Sequence, residues 1–249
     1  MGFLGVGLTM RERRKIYEGK AKILFSFPDN PNLVTQHFKD DVTAYNNRKH
    51  SVIPGKGVIN NYISAFFMQN LQNVGIKTHF VKVLNMREQL VKKAELIPIE
   101  VVIRNIVAGG LAKRLGLEEG MILDAPLIET YYKSDSLGDP MVTDDHILSF
   151  NWLKLSEIEE MKVMAWRIND FLSGALSSAG IILVDLKLEF GFYDDQIILI
   201  DEISPDTCRF WDTETKEKMD KDRFRRDLGG VSKYYREVAR RLGILNGSF

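Results

Sequence analysis

The chain has 249 residues, with 34 Lys+Arg against 34 Asp+Glu, and so a formal net charge of zero. At 45% hydrophobic and 27% charged it has the composition of a folded protein of one large or two small domains, not of a disordered chain. The even charge balance argues against nucleic acid or anionic lipid as the main partner, and no run of about 18 apolar residues exists to cross a membrane.

Residues 1–10 are apolar and Gly-rich, but Arg11, Arg13, Arg14 and Lys15 follow the apolar part instead of preceding it, unlike a secretory signal. The first nine read as a ragged extension before a start at Met10. From residue 16 to 83, strand-like runs at 22–27, 33–38 and 79–84 alternate with turn formers such as Pro28, Asp29, Asn30 and Pro31, which predicts an antiparallel sheet. One helix interrupts it: Ile59, Ile63, Phe66, Phe67, Asn70, Leu71 and Val74 recur at helical spacing, and Gly75 stands where a helix ends. Residues 91–98 lead into an apolar strand at 99–103, which places the boundary between an N-terminal lobe, 1–97, and a larger lobe, 98–249, beside Pro98. Gly109 and Gly110 open a short helix that runs to Gly116. Ser156 with Glu159 has the form of a capping box, and Ile158, Met161, Ala165, Ile168, Phe171, Leu172 and Ala175 continue a helix towards Gly180. Two β-rich runs, 181–190 and 197–203, read as a hairpin across the turn formers at 191–196. The tail, 215–242, is charged with a helical pattern. The fold class is α+β in two lobes.

The hairpin carries the densest chemistry. Alternation along its first strand puts Asp185, Lys187 and Glu189 on one face and Leu186, Leu188 and Phe190 on the other. A connecting loop with an odd number of residues, such as 194–196, sets Glu189 opposite Asp201 on that face; a two-residue loop sets them on opposite faces. Opposed carboxylates repel. A divalent cation removes that penalty, and an all-oxygen site with few protein ligands suits Mg2+ carrying phosphates. A solvated face neutralised by Lys187 accounts for the same residues.

Downstream, Asp206 and Arg209 stand in a polar run around Pro205, where Arg209 suits a carboxylate or phosphate and where Asp206 with Thr207 equally suits a turn cap. Cys208, the only cysteine, excludes a disulfide framework and any multi-cysteine metal site, and fits a reducing cytoplasm. Upstream, Gly19 lets backbone approach phosphates and Lys20 and Lys22 point the same way along a strand, although neither a Walker A loop nor a Rossmann fingerprint is present. Arg104 precedes Gly109-Gly110 at the start of a helix, an arrangement that holds a phosphate or serves as a flexible turn. His37, His50, His79 and His146 show no ligand spacing and read as structural or exposed.

Leu183-Val184-Asp185-Leu186-Lys187-Leu188-Glu189-Phe190-Gly191 and Asp201-Glu202-Ile203-Ser204-Pro205-Asp206-Thr207-Cys208-Arg209-Phe210-Trp211 resemble, in order and spacing, the two signature motifs of the SAICAR synthetase family. The likeness runs from Tyr17-Glu18-Gly19-Lys20-Ala21-Lys22 through Asp139-Pro140-Met141-Val142 to Arg240-Arg241-Leu242-Gly243. It implies ATP in the cleft between two lobes and the family's reaction: L-aspartate is joined to the carboxylate of CAIR, the carboxyaminoimidazole ribotide of purine synthesis, and ATP is cleaved to ADP and phosphate. Because a carboxylate is a poor electrophile, the implied route is an acyl phosphate attacked by the aspartate amine, with catalysis by positioning and charge neutralisation.

By motif position the resemblance implies Mg2+ on Glu189 and Asp201, ATP phosphates on Lys20 and Lys22, and adenine on the Lys92 carbonyl and the Ala94 N–H. It implies CAIR on Arg104, Gly110, Asp185, Asp206 and Arg209, catalytic roles for Lys133 and Lys187, and a closing active-site loop at 40–44 that contributes Asp41. Gly110 replaces the serine of many relatives, which removes a phosphate-binding hydroxyl. The partners implied are the three small-molecule substrates and further copies of the chain, as a homodimer or other homo-oligomer, with neither nucleic acid nor membrane. A kinase-like phosphotransferase on another acceptor is the competing enzyme reading, against which the CAIR-site residues count. A silent nucleotide binder is the third, and the intact Glu189 and Asp201 count against it.

Overall fold

The computed structural model describes residues 13–27, 30–45 and 48–244; the expectations for residues 1–10 and for Pro28 and Asp29 lie outside the described residues. Strands β1 (Arg14–Glu18), β2 (Lys22–Phe27) and β3 (Asn30–Phe38) open the chain, and β4 (Asp41–Ala44) and β5 (Lys49–Val52) form a separate two-stranded ribbon. Helix α1 (Lys56–Asn73) follows, before β6 (Phe80–Asn85) and β7 (Glu88–Lys92) complete a five-stranded antiparallel sheet in the order β1-β2-β3-β7-β6. Asn30 and Pro31 belong to β3 and not to a turn. The pairing of β3 with β7 begins only at Leu33, so the missing N–H of Pro31 costs that ladder nothing.

The second sheet is built from β8 (Glu95–Ile106), β9 (Ile122–Tyr132), β10 (Met141–Val142), β11 (Ile181–Tyr193), β12 (Gln196–Ile200) and β13 (Cys208–Asp212). Its order is β10-β9-β8-β11-β12, with β13 paired to the first half of β11. Between these strands run α2 (Gly109–Leu115), α3 (Asp144–Ser149) and α4 (Leu155–Ser178), and the chain ends in the short α5 (Asp222–Arg225) and in α6 (Val231–Arg241). The tail is therefore helical only in part: residues 215–221 are irregular, and the Asp212 carboxylate, which accepts from the N–H groups of Glu214 and Thr215, sets the turn that opens them.

The boundary expected at 97/98 falls inside β8. The change of sheet comes at Lys93 and Ala94, between β7 and β8, while Pro98 sits where the pairing of β8 with β11 jumps from Glu100 to Leu96. A bulge of this kind is where a strand tolerates a residue without an N–H. The apolar core also ignores the expected boundary, since Ile59, Ile63, Phe67 and Leu71 of α1 share one cluster with α4 and with β8 and β11.

Helix α4 buries Ile158, Met161, Ala165, Ile168, Leu172 and Leu176 at the spacing of one helical face, and packs against β11 and β8. Each such Ile, Leu or Met contributes about 1.5–3 kcal/mol by leaving water. Its N-terminal cap differs from the expected one. Helix α4 starts at Leu155, so Glu157, not Glu159, reaches back, and its carboxylate accepts from the Lys154 N–H at 2.7 Å. With α4 on one face, β11 turns Leu186, Leu188 and Phe190 into the core and leaves its other face free for charge.

Candidate active site

That second face forms the floor of a cavity of about 700 Å³ lined from both sheets. Period two governs which side chains reach it: Glu100, Val102 and Arg104 from β8, and Asp185, Lys187 and Glu189 from β11, with Glu129 and Tyr131 of β9 behind Arg104. Asp185 is directly opposite Arg104 on one side and Arg209 of β13 on the other. Its Oδ2 accepts from Arg104 Nη1 at 3.0 Å and from Arg209 Nη1 at 2.7 Å. Each guanidinium holds a second carboxylate: Arg104 Nε donates to Glu129 at 2.6 Å, and Arg209 Nε to Asp222 at 3.0 Å. Burial opposes the charge on Arg209, but Asp185 and Asp222 outweigh it and push its pKa up. Arg104 is raised for the same reason.

The other end of the floor carries lysines. Glu189 is paired with Glu100, not with Asp201, and the two acids share Lys133 and Lys187. Lys133 Nζ donates to Glu189 at 2.8 Å and to Glu100 at 3.1 Å; Lys187 Nζ donates to Glu100 at 2.7 Å and also to Glu189. Burial alone would keep Glu189 neutral, yet the two ammonium groups outweigh it and hold its carboxyl well below the usual range. Lys187 moves in the opposite sense, well above an ordinary lysine. Both lysines are therefore fixed positive charges.

The hairpin loop has two residues, Asp194 and Asp195, both at positive φ as a type I′ turn requires, and Glu189 lies opposite Ile200. Of the two loops that the sequence left open, the two-residue one is present and the odd loop at 194–196 is not. By alternation Asp201 then belongs on the far face, but it has left β12 and takes a φ of 67°, which swings it back to the cavity. There it meets Lys22 Nζ, which also donates to Glu202 at 2.8 Å. Burial works against the Lys22 charge, but Asp201 and Glu202 raise its pKa above the ordinary value. Among the described residues no group of three or more His, Cys, Asp or Glu side chains is arranged around one metal point.

Of the residues singled out in the sequence, Lys20, Lys22, Lys92, Ala94, Arg104, Lys133, Asp185, Lys187, Glu189, Asp201, Asp206 and Arg209 all line this one cavity. Asp41 does not: it faces a neighbouring cleft with Lys20 and Asp135, where its carboxylate meets His50 Nε2 at 2.9 Å. Gly110 does not line it either, although a Cβ there would meet nothing nearer than Arg104 Nη2 at 3.9 Å. Gly109, at φ 52°, has no such room, since a Cβ would fall 2.3 Å from Arg209 Nη2. Asp206 reaches the cavity wall but turns its carboxylate inward. That carboxylate accepts from Lys56 Nζ at 2.5 Å, Asn60 Nδ2 at 2.9 Å and the Tyr235 hydroxyl at 2.7 Å.

Sequence reasoning missed Glu100, Glu202, Lys221 and Arg225. Glu100 was within reach, because it stands four residues before Arg104 and period two gives them one face once the strand is drawn from Glu95. Glu202 and Lys221 sit in irregular connections, where no period applies, and Arg225 ends the four-residue α5, which is too short to show one.

The comparisons with known proteins agree with this geometry. The SAICAR synthetase family profile matches residues 15–242. Phosphoribosylaminoimidazole-succinocarboxamide synthase of Sinorhizobium fredii is 58% identical over 241 residues, 95% of this chain and 94% of that protein. The crystal structure of the synthase of the same name from Ehrlichia chaffeensis aligns with a TM-score of 0.91 at 53% identity, over 94% of this chain and all of that one. A SAICAR synthetase in complex with ADP aligns with a TM-score of 0.90 at 44% identity, over 94% of this chain and 99% of the other. With signature motifs, cavity and overall likeness in agreement, the chain belongs to the SAICAR synthetase family.

Proposed function

We propose that this cavity joins L-aspartate to CAIR through an acyl phosphate, as the route by which this member of the family carries out ATP-dependent SAICAR formation in purine biosynthesis. The observation that carries the proposal is the division of one cavity floor into an arginine end on Asp185 and a lysine end on Glu189. In this reading the ribotide lies at the arginine end, where the two guanidiniums are held in place by carboxylates and present their remaining N–H groups to its phosphate and hydroxyls. ATP lies against the β7–β8 connector, adenine on the Lys92 carbonyl and the Ala94 N–H, with its phosphates reaching Lys20 and Lys22.

Lys133 and Lys187 neutralise charge on the transferring phosphoryl group, which passes to the CAIR carboxylate. The aspartate amine then attacks the activated carbonyl and phosphate leaves, with no covalent protein intermediate. Glu189 and Asp201 offer hard oxygen donors only, two in number, which fits Mg2+ that takes its other ligands from phosphates and water. When bound, Mg2+ supplies further neutralisation of phosphate charge. The two carboxylates must then be shared with, or released from, the lysines that hold them.

The ribbon that carries Asp41 closes over the cleft beside Lys20, and Asp206 acts from below by holding its turn in place. Chain 1–93 supplies the ATP-covering lobe in this reading. The free, buried Cys208 suits a reducing cytoplasm, and further copies of the chain are the remaining partners, as a homo-oligomer. The test is ADP release by the purified chain with Mg-ATP and CAIR, with and without L-aspartate, while the succinocarboxamide product is followed. Turnover that requires all three substrates is the expected result; ADP release indifferent to aspartate would favour a phosphotransferase on another acceptor.

A further inference from the structure

One substrate of this reaction has no residue assigned to it, and one half-buried cation beside the Asp206 turn of the cavity has no hydrogen-bonded or ion-paired partner. Lys221 lines the cavity between Asp206 and Arg225, with its backbone N–H bonded to the Pro205 carbonyl at 3.0 Å and its own carbonyl accepting from Arg225. Among the described residues its ammonium group makes no hydrogen bond or ion pair. Apart from Lys92 and Lys93 in the β7–β8 connector, each other cationic head on the cavity wall has a carboxylate within 4.0 Å.

Nor does Lys221 have a carboxylate to turn to. The two nearest in charge effect are Asp206 and Glu202. Asp206 is filled by Lys56, Asn60 and Tyr235, and Glu202 accepts from Lys22 and from the Ser204 hydroxyl at 2.6 Å. Burial, with the nearby charges of Arg225 and Lys56, pulls the Lys221 pKa down to about 8. Asp206 and Glu202 offset part of that pull but are held by other donors, so an anionic ligand that meets the ammonium directly lowers the cost of keeping it charged.

We infer that Lys221 binds a carboxylate of L-aspartate and helps select it as the amine substrate. The inference rests on the ligase reading above, in which Lys20 and Lys22 serve ATP and Arg104 and Arg209 serve the ribotide. L-Aspartate, a dicarboxylate, is the substrate left over. Lys221 also stands in the right place, since Glu202 adjoins the Asp201 end of the cavity and Arg225 shares Asp222 with Arg209 at the ribotide end. An amino acid held there has its amine between the phosphoryl donor and the ribotide.

The test is steady-state kinetics of the full chain and its Lys221→Met and Lys221→Arg variants, with each substrate varied in turn. Lys221→Met is expected to raise the KM for L-aspartate at least about tenfold and to leave those for CAIR and Mg-ATP within twofold; Lys221→Arg should recover most of the loss. L-Asparagine and L-alanine should also lose most of their disadvantage against L-aspartate in Lys221→Met. A rise confined to the CAIR KM, or no rise at all, overturns the assignment. Should Lys221→Met fail to fold, labelling of the wild-type chain with an amine-reactive reagent decides: protection of Lys221 by L-aspartate supports the assignment, and equal labelling with and without it overturns it. Absence of product from the wild-type chain would strike the ligase reading itself. Normal wild-type turnover with an unmoved aspartate KM would strike only Lys221.

Discussion

At the arginine end of the cavity each cation is locked between two acids, whereas at the lysine end two cations and two acids share one another. Arg104 and Asp185 are 6% and 5% exposed and Arg209 is 16% exposed, while Lys133 and Lys187 are each 30% exposed above Glu189. Planar forks held on both sides are preorganised for one ligand geometry. Ammonium groups shared among carboxylates are not, and such an arrangement can be redistributed when phosphates and a divalent cation arrive. On the proposed reading, the first region recognises and the second rearranges.

Removing a shared acid should therefore do the most damage. Glu189→Gln leaves Lys133 and Lys187 with Glu100 alone and, on the proposed reading, deprives Mg2+ of a donor, so kcat/KM is expected to fall by roughly a thousandfold. Initial rates over a Mg2+ titration check this, and wild-type rates in the variant would end the distinction between the two regions. Next, Asp206→Asn strands Lys56, which is 1% exposed, and should cost about 3–5 kcal/mol of folding stability in urea unfolding. Unchanged stability with a raised KM for CAIR would instead place the Asp206 carboxylate on the ligand. Arg209→Ala should raise the KM for CAIR by roughly 10- to 100-fold, the worth of one charged hydrogen-bonding group, with the KM for ATP within twofold. Equal rises in both would show that the ends do not divide the substrates.

What titrates also separates the regions, since arginines do not. His79 lines the cavity near Lys22 and Asp201, and burial chiefly, with help from Lys22 and Lys92, lowers its pKa to about 4. Above pH 6.5 both folded and unfolded chains carry it neutral; below, the unfolded chain takes a proton that the folded one refuses. Stability is thus lost as pH falls from 6.5 towards 4, by about 2 kcal/mol between pH 7 and pH 5 from this residue. Urea midpoints at the two pH values should show it, and His79→Gln should flatten the slope. The smallest effect is expected for Gly110→Ser. Its Cβ fits, and a hydroxyl beside Arg104 should lower the KM for CAIR by about two- to fivefold and stabilise α2 by roughly 0.5 kcal/mol. Gly109→Ser, by contrast, should displace Arg209 and reproduce the Arg209→Ala kinetics.

Whatever repeats with a local period was readable from the amino-acid order. Alternation assigned Asp185, Lys187 and Glu189 to one face of β11 and Leu186, Leu188 and Phe190 to the other, and the apolar spacing from Ile158 onward laid out α4. The two signature runs carried the family. The pairing of one strand with another was not readable, because register depends on loop chemistry and on contacts far apart in the chain: a two-residue Asp194-Asp195 turn put Ile200, not Asp201, opposite Glu189, and the register that begins at Asp185 and Arg104 set Glu100 there from the other side. The direction of a turn side chain was not readable either. Asp201 returns to the cavity through one left-handed residue conformation, and Asp206 turns inward because Lys56 waits 150 positions earlier in the chain. Period two and period 3.6 are properties of neighbours along the backbone, so the sequence determines them alone. Which acid meets which base is settled by the free energy of burying charge, and only the folded chain brings both partners to one place.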